Sequence, residues 1–116
     1  MSTALTIRDR VKGLQLTMLG DMTPLMARTS LVQLTGLMGL AAEHLRECEL
    51  AYKRVLVAKL AECAKANRAR IEAEATPAFA AYREAKDVHT SIDQMVMSCK
   101  AYLRSLESEL RGVGGR

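Results

Sequence analysis

The sequence predicts an all-α fold, a long antiparallel helical hairpin preceded by a short helix, and three observations carry that prediction. Apolar residues recur at steps of three and four over most of the chain, as one face of a helix requires. Aromatic residues are only 3% of the composition and Trp is absent, so a core must come from Leu, Met, Val, Ile and Ala, a palette that favours helices over sheets. A Thr-Pro helix-start signal occurs at Thr23-Pro24 and again at Thr76-Pro77, with no proline between them. At 116 residues the chain is a single domain, 1–116.

The elements follow in chain order. Thr6 and Asp9 have capping-box spacing, and Ile7, Val11, Leu14 and Met18 recur on one face, which predicts a short helix over about 6–19 that stops near Gly20. The first Thr-Pro signal opens a long helix over about 24–75, along which Leu34, Met38, Ala41, Leu45, Cys48, Tyr52 and Val55 form one apolar line. Its weakest local point is Gly36 and Gly39, each costing about 1 kcal/mol relative to Ala. They mark either a kink or a place where another helix comes close. Thr76-Pro77 reads as the turn of the hairpin. The returning helix, about 77–111, carries Ala81, Ala85, Val88, Ile92, Met95, Cys99, Tyr102 and Leu106 at near-heptad spacing. The stretch from Val88 to Leu106 is expected to be the core or oligomer seam. Gly112 supplies the stop, and 112–116 is read as a flexible tail.

A rod two helices thick buries apolar surface poorly, and hydrophobic residues are 49% of this chain. Assembly into a homo-oligomeric bundle or ring is therefore expected. The competing arrangement is a three-helix monomer in which the first helix covers part of the exposed stripe.

Several functions are disfavoured. Cys48, Cys63 and Cys99 are odd in number and form no C-x-x-C pair, which speaks against a disulfide framework and for a reducing compartment. Charges at Arg8, Asp9, Arg10, Lys12, Asp21 and Arg28 interrupt any signal-peptide apolar region, and the uncharged run Thr29–Ala42 is too short to cross a bilayer. A cytoplasmic location, without membrane contact, is expected; for a phage-encoded chain this is the host cytoplasm. Glu72 with Glu74, and Glu107 with Glu109, stand two apart and point to different helix faces, unsuited to paired acid–base work. Ser105 and Ser108 have no histidine near them, and no glycine-rich phosphate loop occurs. His44 and Cys48 are four apart, but with Cys63, His89 and Cys99 they match no zinc-ligand spacing. No enzymatic activity, metal or cofactor is expected.

One segment stands out chemically. Between Tyr52 and Arg70 lie six basic residues, Lys53, Arg54, Lys59, Lys65, Arg68 and Arg70, against one carboxylate, Glu62. On a continuous helix at 100° per residue, Arg54, Lys65 and Arg68 fall within about 60° of one another on the solvent side. Charge runs on helices are commonly just wet faces, and Arg68–Glu72 and Glu62–Lys65 have ordinary intrahelical pair spacings. Lys59 and Arg70 fall instead within the apolar arc. There a cation is expected to snorkel its stem along neighbouring leucines, to pair with a carboxylate such as Asp87 or Asp93 of the returning helix, or to line a subunit boundary where a ligand phosphate could reach it.

The run "AYKRVLVAKLA", Ala51–Ala61, resembles the basic helix of the UvsY-type phage recombination mediators, with Ala51, Lys53, Arg54 and Val55 matching the family pattern A-x-K-K-V and Lys59 falling one place off its next lysine. The resemblance implies a small all-helical chain that assembles into a ring, binds single-stranded DNA without sequence preference, and helps load a RecA-like recombinase onto DNA coated by single-strand-binding protein. It nominates Lys53, Arg54 and Lys59 as nucleic-acid-binding residues, to which charge alone adds Lys65, Arg68 and Arg70. The alternative is a small helical protein–protein interaction module, a phage-type adaptor, inhibitor or assembly factor, with no nucleic-acid role.

Overall fold

The computed structural model describes residues 3–18 and 22–114, which form four helices and no strand: α1 (Thr3–Met18), α2 (Pro24–Glu62), α3 (Ala66–Glu74) and α4 (Pro77–Gly114). Both Thr-Pro signals act as expected. Thr23 is extended, and its Oγ1 accepts from the Met26 N–H at 3.1 Å while Pro24 occupies the first turn. Thr76 serves two helices: its Oγ1 donates to the Ala73 carbonyl at 2.6 Å, closing α3, and accepts from the Phe79 N–H at 3.4 Å, opening α4.

α2 and α4 pack antiparallel along their length. Tyr52 meets Phe79 and Tyr82 at the turn end, and the Tyr102 hydroxyl donates to the Met22 carbonyl at 2.6 Å at the other. The core draws Leu34, Leu37 and Ala41 from α2 and Val88, Ile92, Met95 and Cys99 from α4. Four of the six expected seam residues are thus buried, and Tyr102 and Leu106 are half-buried toward the C-terminal end of α4. α1 adds Ile7 and Val11 to this cluster, covering one half of the hairpin as the three-helix arrangement anticipates. Burying an Ile or Leu side chain contributes about 1.5–3 kcal/mol, so this short layer stabilises the rod appreciably. The molecule remains elongated, 72 × 30 × 20 Å.

The structure corrects the expected boundaries. The single helix predicted over 24–75 is broken: α2 ends at Glu62, Cys63 and Lys65 adopt extended backbone, and α3 turns back. On a continuous helix Lys59 and Glu72 would be separated by about 20 Å, yet their charged groups lie 4.0 Å apart. α2 and α4 are offset along the rod: Tyr52 meets Phe79 and Tyr82, and Tyr102 reaches Met22 just before α2, so the last turns of α2 run past the start of α4, and α3 packs beside α2. Folding back buries Ala69 and Ala73 completely.

Gly36 and Gly39 do not interrupt α2, and a Cβ on either would meet nothing within 4 Å. Thr6 lies inside α1, which has already begun at Thr3, so it is not the cap. Ala81 is exposed; half-buried Ala78 and Tyr82 flank the seam there. α4 runs through Gly112 to Gly114, since glycine tolerates helical backbone as well as ending it. The expected stop at Gly20, the Met18 side chain and the last two tail residues lie outside the described residues.

Candidate functional site at the basic end of the hairpin

The break at Cys63 distributes the six basic residues over three segments. Lys53, Arg54 and Lys59 stand on the last turns of α2, Lys65 in the link, and Arg68 and Arg70 on α3. Five of them are exposed and Lys59 is half-buried. The single helical arc expected for Arg54, Lys65 and Arg68 does not exist, because α3 starts a new helical phase. For the same reason Arg70, expected in the apolar arc, faces solvent, where its Nη2 donates to Asn67 Oδ1 at 3.0 Å. Lys59 does lie near the seam, but it pairs with Glu62 at 3.6 Å and Glu72 at 4.0 Å, not with Asp87 or Asp93.

Carboxylates from outside the basic stretch reach into it. Lys53 pairs with Glu49 at 3.1 Å and Arg68 with Glu72 at 3.4 Å. Arg54 and Lys65 form no ion pair among the described residues. Solvent-exposed pairs of this kind contribute about 0–1 kcal/mol each, so an incoming phosphate can displace the carboxylate at little cost.

Glu72 organises the link. Its Oε2 accepts the Cys63 thiol at 3.3 Å and its Oε1 accepts from Arg68 Nε at 3.4 Å. The thiol hydrogen bond, followed by the Arg68 bond, holds the Glu72 carboxyl below the usual carboxylate range, and the same thiol bond pushes Cys63 up. A shallow groove of about 470 Å³ beside them is lined by Glu62, Cys63, Ala64, Lys65, Arg68 and Glu72, two carboxylates among two cations.

The four aromatic rings are engaged within the chain. Tyr52 stacks on Tyr82 with centroids 5.6 Å apart and planes 9° from parallel, and lies 5.0 Å from Phe79, which Arg83 covers at 5.9 Å. Tyr102 is hydrogen-bonded to Met22. A polyanion at this end would therefore be held by phosphate contacts, with base stacking reserved for the outer ring faces.

Two other candidates resolve simply. Cys48 Sγ and His44 Nε2 sit 3.5 Å apart as an intrahelical pair, and no group of three or more His, Cys, Asp or Glu among the described residues could hold a metal ion. No helix among the described residues is long and apolar enough to cross a membrane.

The sequence reading overlooked the outer face of α2. Val32, Leu50 and Val57 are 73%, 51% and 66% exposed there. An apolar groove of about 610 Å³ opens beside it between α1 and α2, lined by Arg10, Gly13, Leu14, Val32, Gly36 and Leu40 among others. The signal was available as a second three–four period in α2, opposite the seam. Comparison of the chain with protein-family models, with curated proteins and with solved structures finds no match in any of the three.

Proposed function

We propose that the chain is an oligomeric helical accessory protein of the recombination-mediator type, which binds single-stranded DNA without sequence preference at the basic end of the hairpin and helps load a recombinase. The observation that carries the reading is the exposure of Lys53, Arg54, Lys65, Arg68 and Arg70 around one end of the rod, three of them, Arg54, Lys65 and Arg70, without a carboxylate partner among the described residues. Cations in weak surface pairs are available to phosphates, and phosphate contacts give sequence-blind, salt-sensitive affinity. The resemblance of Ala51–Ala61 to the mediator basic helix supports the same assignment.

The test is fluorescence-anisotropy binding of an unstructured oligonucleotide across a salt series, with light scattering on the same samples to follow assembly. Arg54→Ala with Lys65→Ala is expected to weaken binding and to reduce the slope of log affinity against log salt by about 1.4, the loss of two single-strand phosphate contacts. Parent-like affinity and slope in the double variant would overturn the DNA assignment. A second reading, a protein-binding module without a nucleic-acid role, is favoured by the exposed apolar face of α2; it predicts that the parent ignores the oligonucleotide at every salt concentration.

A further inference from the structure

The outer face of α2 carries its own heptad pattern. Positions 29, 36, 43, 50 and 57 alternate with 32, 39, 46, 53 and 60, giving Thr29, Val32, Gly36, Gly39, Glu43, Arg46, Leu50, Lys53, Val57 and Leu60 in one line, and every one of them is exposed. At 1.5 Å per residue the line runs for about 45 Å, the length of a substantial helix–helix interface. It is mostly apolar or small toward each end, apart from Lys53, which pairs with Glu49 of its own helix, and carries Glu43 and Arg46 in the middle. Glu43 and Arg46, the central pair, form no ion pair within the chain among the described residues.

That distribution is self-complementary about its own centre. When two copies of α2 run antiparallel about a two-fold axis near His44-Leu45, each position meets its reflection. Glu43 faces Arg46 of the second copy, Leu50 faces Gly39, Val57 faces Val32, Lys53 faces Gly36 and Leu60 faces Thr29. Large residues meet small or apolar ones, and the central charges meet opposite charges twice over, once on each side of the axis. The open space above Gly36 and Gly39 lets the partner helix approach closely. Sliding the pair by one heptad sets Arg46 against Gly36 in one direction; in the other it sets Arg46 against Leu50 and Glu43 against Lys53, which already pairs with Glu49, and either slide shortens the overlap by seven residues. A parallel pairing sets Glu43 on Glu43 and Arg46 on Arg46. Charge thus selects the direction, and overlap together with the unpaired state of Glu43 and Arg46 selects the register.

We infer that the outer face of α2 is the docking surface for a second copy of this chain, forming an antiparallel two-fold dimer centred on reciprocal Glu43–Arg46 pairs. The Val57 end of each α2 then lies against Val32 and Gly36 of the other, beside the apolar groove between α1 and α2. This specifies the assembly part of the function proposed above and rests on it only there: Lys53 then lies in the dimer interface and the phosphate contacts fall to Arg54, Lys65, Arg68 and Arg70, while DNA binding at Arg54 and Lys65 is measured separately and survives its failure.

Sedimentation velocity on the full chain and three variants tests the interface, with circular dichroism confirming that each variant, altered only at exposed positions, keeps its helix content. The parent is expected to be a dimer. Glu43→Arg alone and Arg46→Glu alone bring like charges together at both reciprocal contacts and are each expected to weaken self-association by about tenfold or more. The exchange of both, Glu43→Arg with Arg46→Glu, restores opposite charges and should return the dimer to within about threefold of the parent. A parent that remains monomeric at about 100 µM, where a micromolar dimer would be nearly fully associated, overturns the inference and leaves the face to a different protein. Single variants that dimerise like the parent, or a charge-exchanged variant no better than the single ones, also overturn it.

Discussion

On the inner face of α2, Leu34 is fully buried and Ala41 nearly so; on its outer face, Val32, two residues from Leu34, is 73% exposed and Val57 is 66% exposed. Both faces repeat at three and four residues, and both carry aliphatic side chains. Their difference lies in where charge enters. The inner seam has no charged residue from Leu34 to Val55, so α4 and α1 can close on it without desolvating an ion. The outer face carries Glu43 and Arg46 at its middle, and neither forms an ion pair among the described residues. Hydrophobicity makes a helix face sticky, whereas the arrangement of charge along it decides whether the chain covers that face itself.

The contrast is broken most severely from the inside. Leu34→Ala empties a fully buried position between α1, α2 and α4, and is expected to cost about 2–5 kcal/mol, read as a lower urea midpoint with an unchanged m-value. On the outer face, Val57→Ala should move stability by no more than about 0.5 kcal/mol when unfolding is followed at a protein concentration too low for association. Equal losses for the two would mean that the faces are not distinguished as described.

The glycines sharpen the same comparison in the opposite direction. Gly36→Ala adds a methyl group into open space on an uninterrupted helix. The unfolded chain loses conformational freedom and the helix gains propensity, so at a protein concentration too low for association the variant should be more stable by about 0.5–1 kcal/mol, seen as a higher thermal midpoint. A loss at that concentration would show that another part of the same chain lies against that side of α2.

How much of this was legible in the sequence depended on whether the cause was local. The Thr-Pro starts at Thr23 and Thr76 and the seam from Val88 to Cys99 are local patterns, and they stand as read. The break after Glu62 was not legible, because Glu62-Cys63-Ala64-Lys65-Ala66 contains neither glycine nor proline and mostly good helix formers. It goes with contacts made nine and thirteen residues apart, Cys63 to Glu72 and Lys59 to Glu72, which no local pattern announces. The basic stretch was read only in part, for a related reason. The Arg68–Glu72 pair follows from its spacing and forms, but the Glu62–Lys65 pair does not, because the break separates them and Glu62 pairs with Lys59; Glu49, just outside the stretch, neutralises Lys53, and Glu72 reaches Lys59 across the link. The outer face of α2 was overlooked because its period runs through the same stretch of helix as the seam's, on the opposite side.

The smallest expected effect concerns the link that ends the inner seam, and its sign follows from Glu72. The Cys63 thiol and Arg68 hold that carboxyl below its ordinary value, near 4.3 in an unfolded chain, so the folded state favours the ionised form. The resulting stabilisation is complete above the unfolded value and is lost as pH falls through the lower folded value. Docking of α3 on α2 should therefore hold from neutral pH down to about 4.3 and loosen below it, while the purely apolar contacts of Ile92 and Leu34 do not respond. Amide exchange at Ala69 and Ala73, corrected for intrinsic rates, is expected to rise in that acid range ahead of exchange at Ile92. In Glu72→Ala the α3 amides should already be less protected at neutral pH and show no further step on acidification. An unchanged acid response in that variant would place the titrating group elsewhere, and the fold-back of α3 would then rest on Ala69 and Ala73 alone.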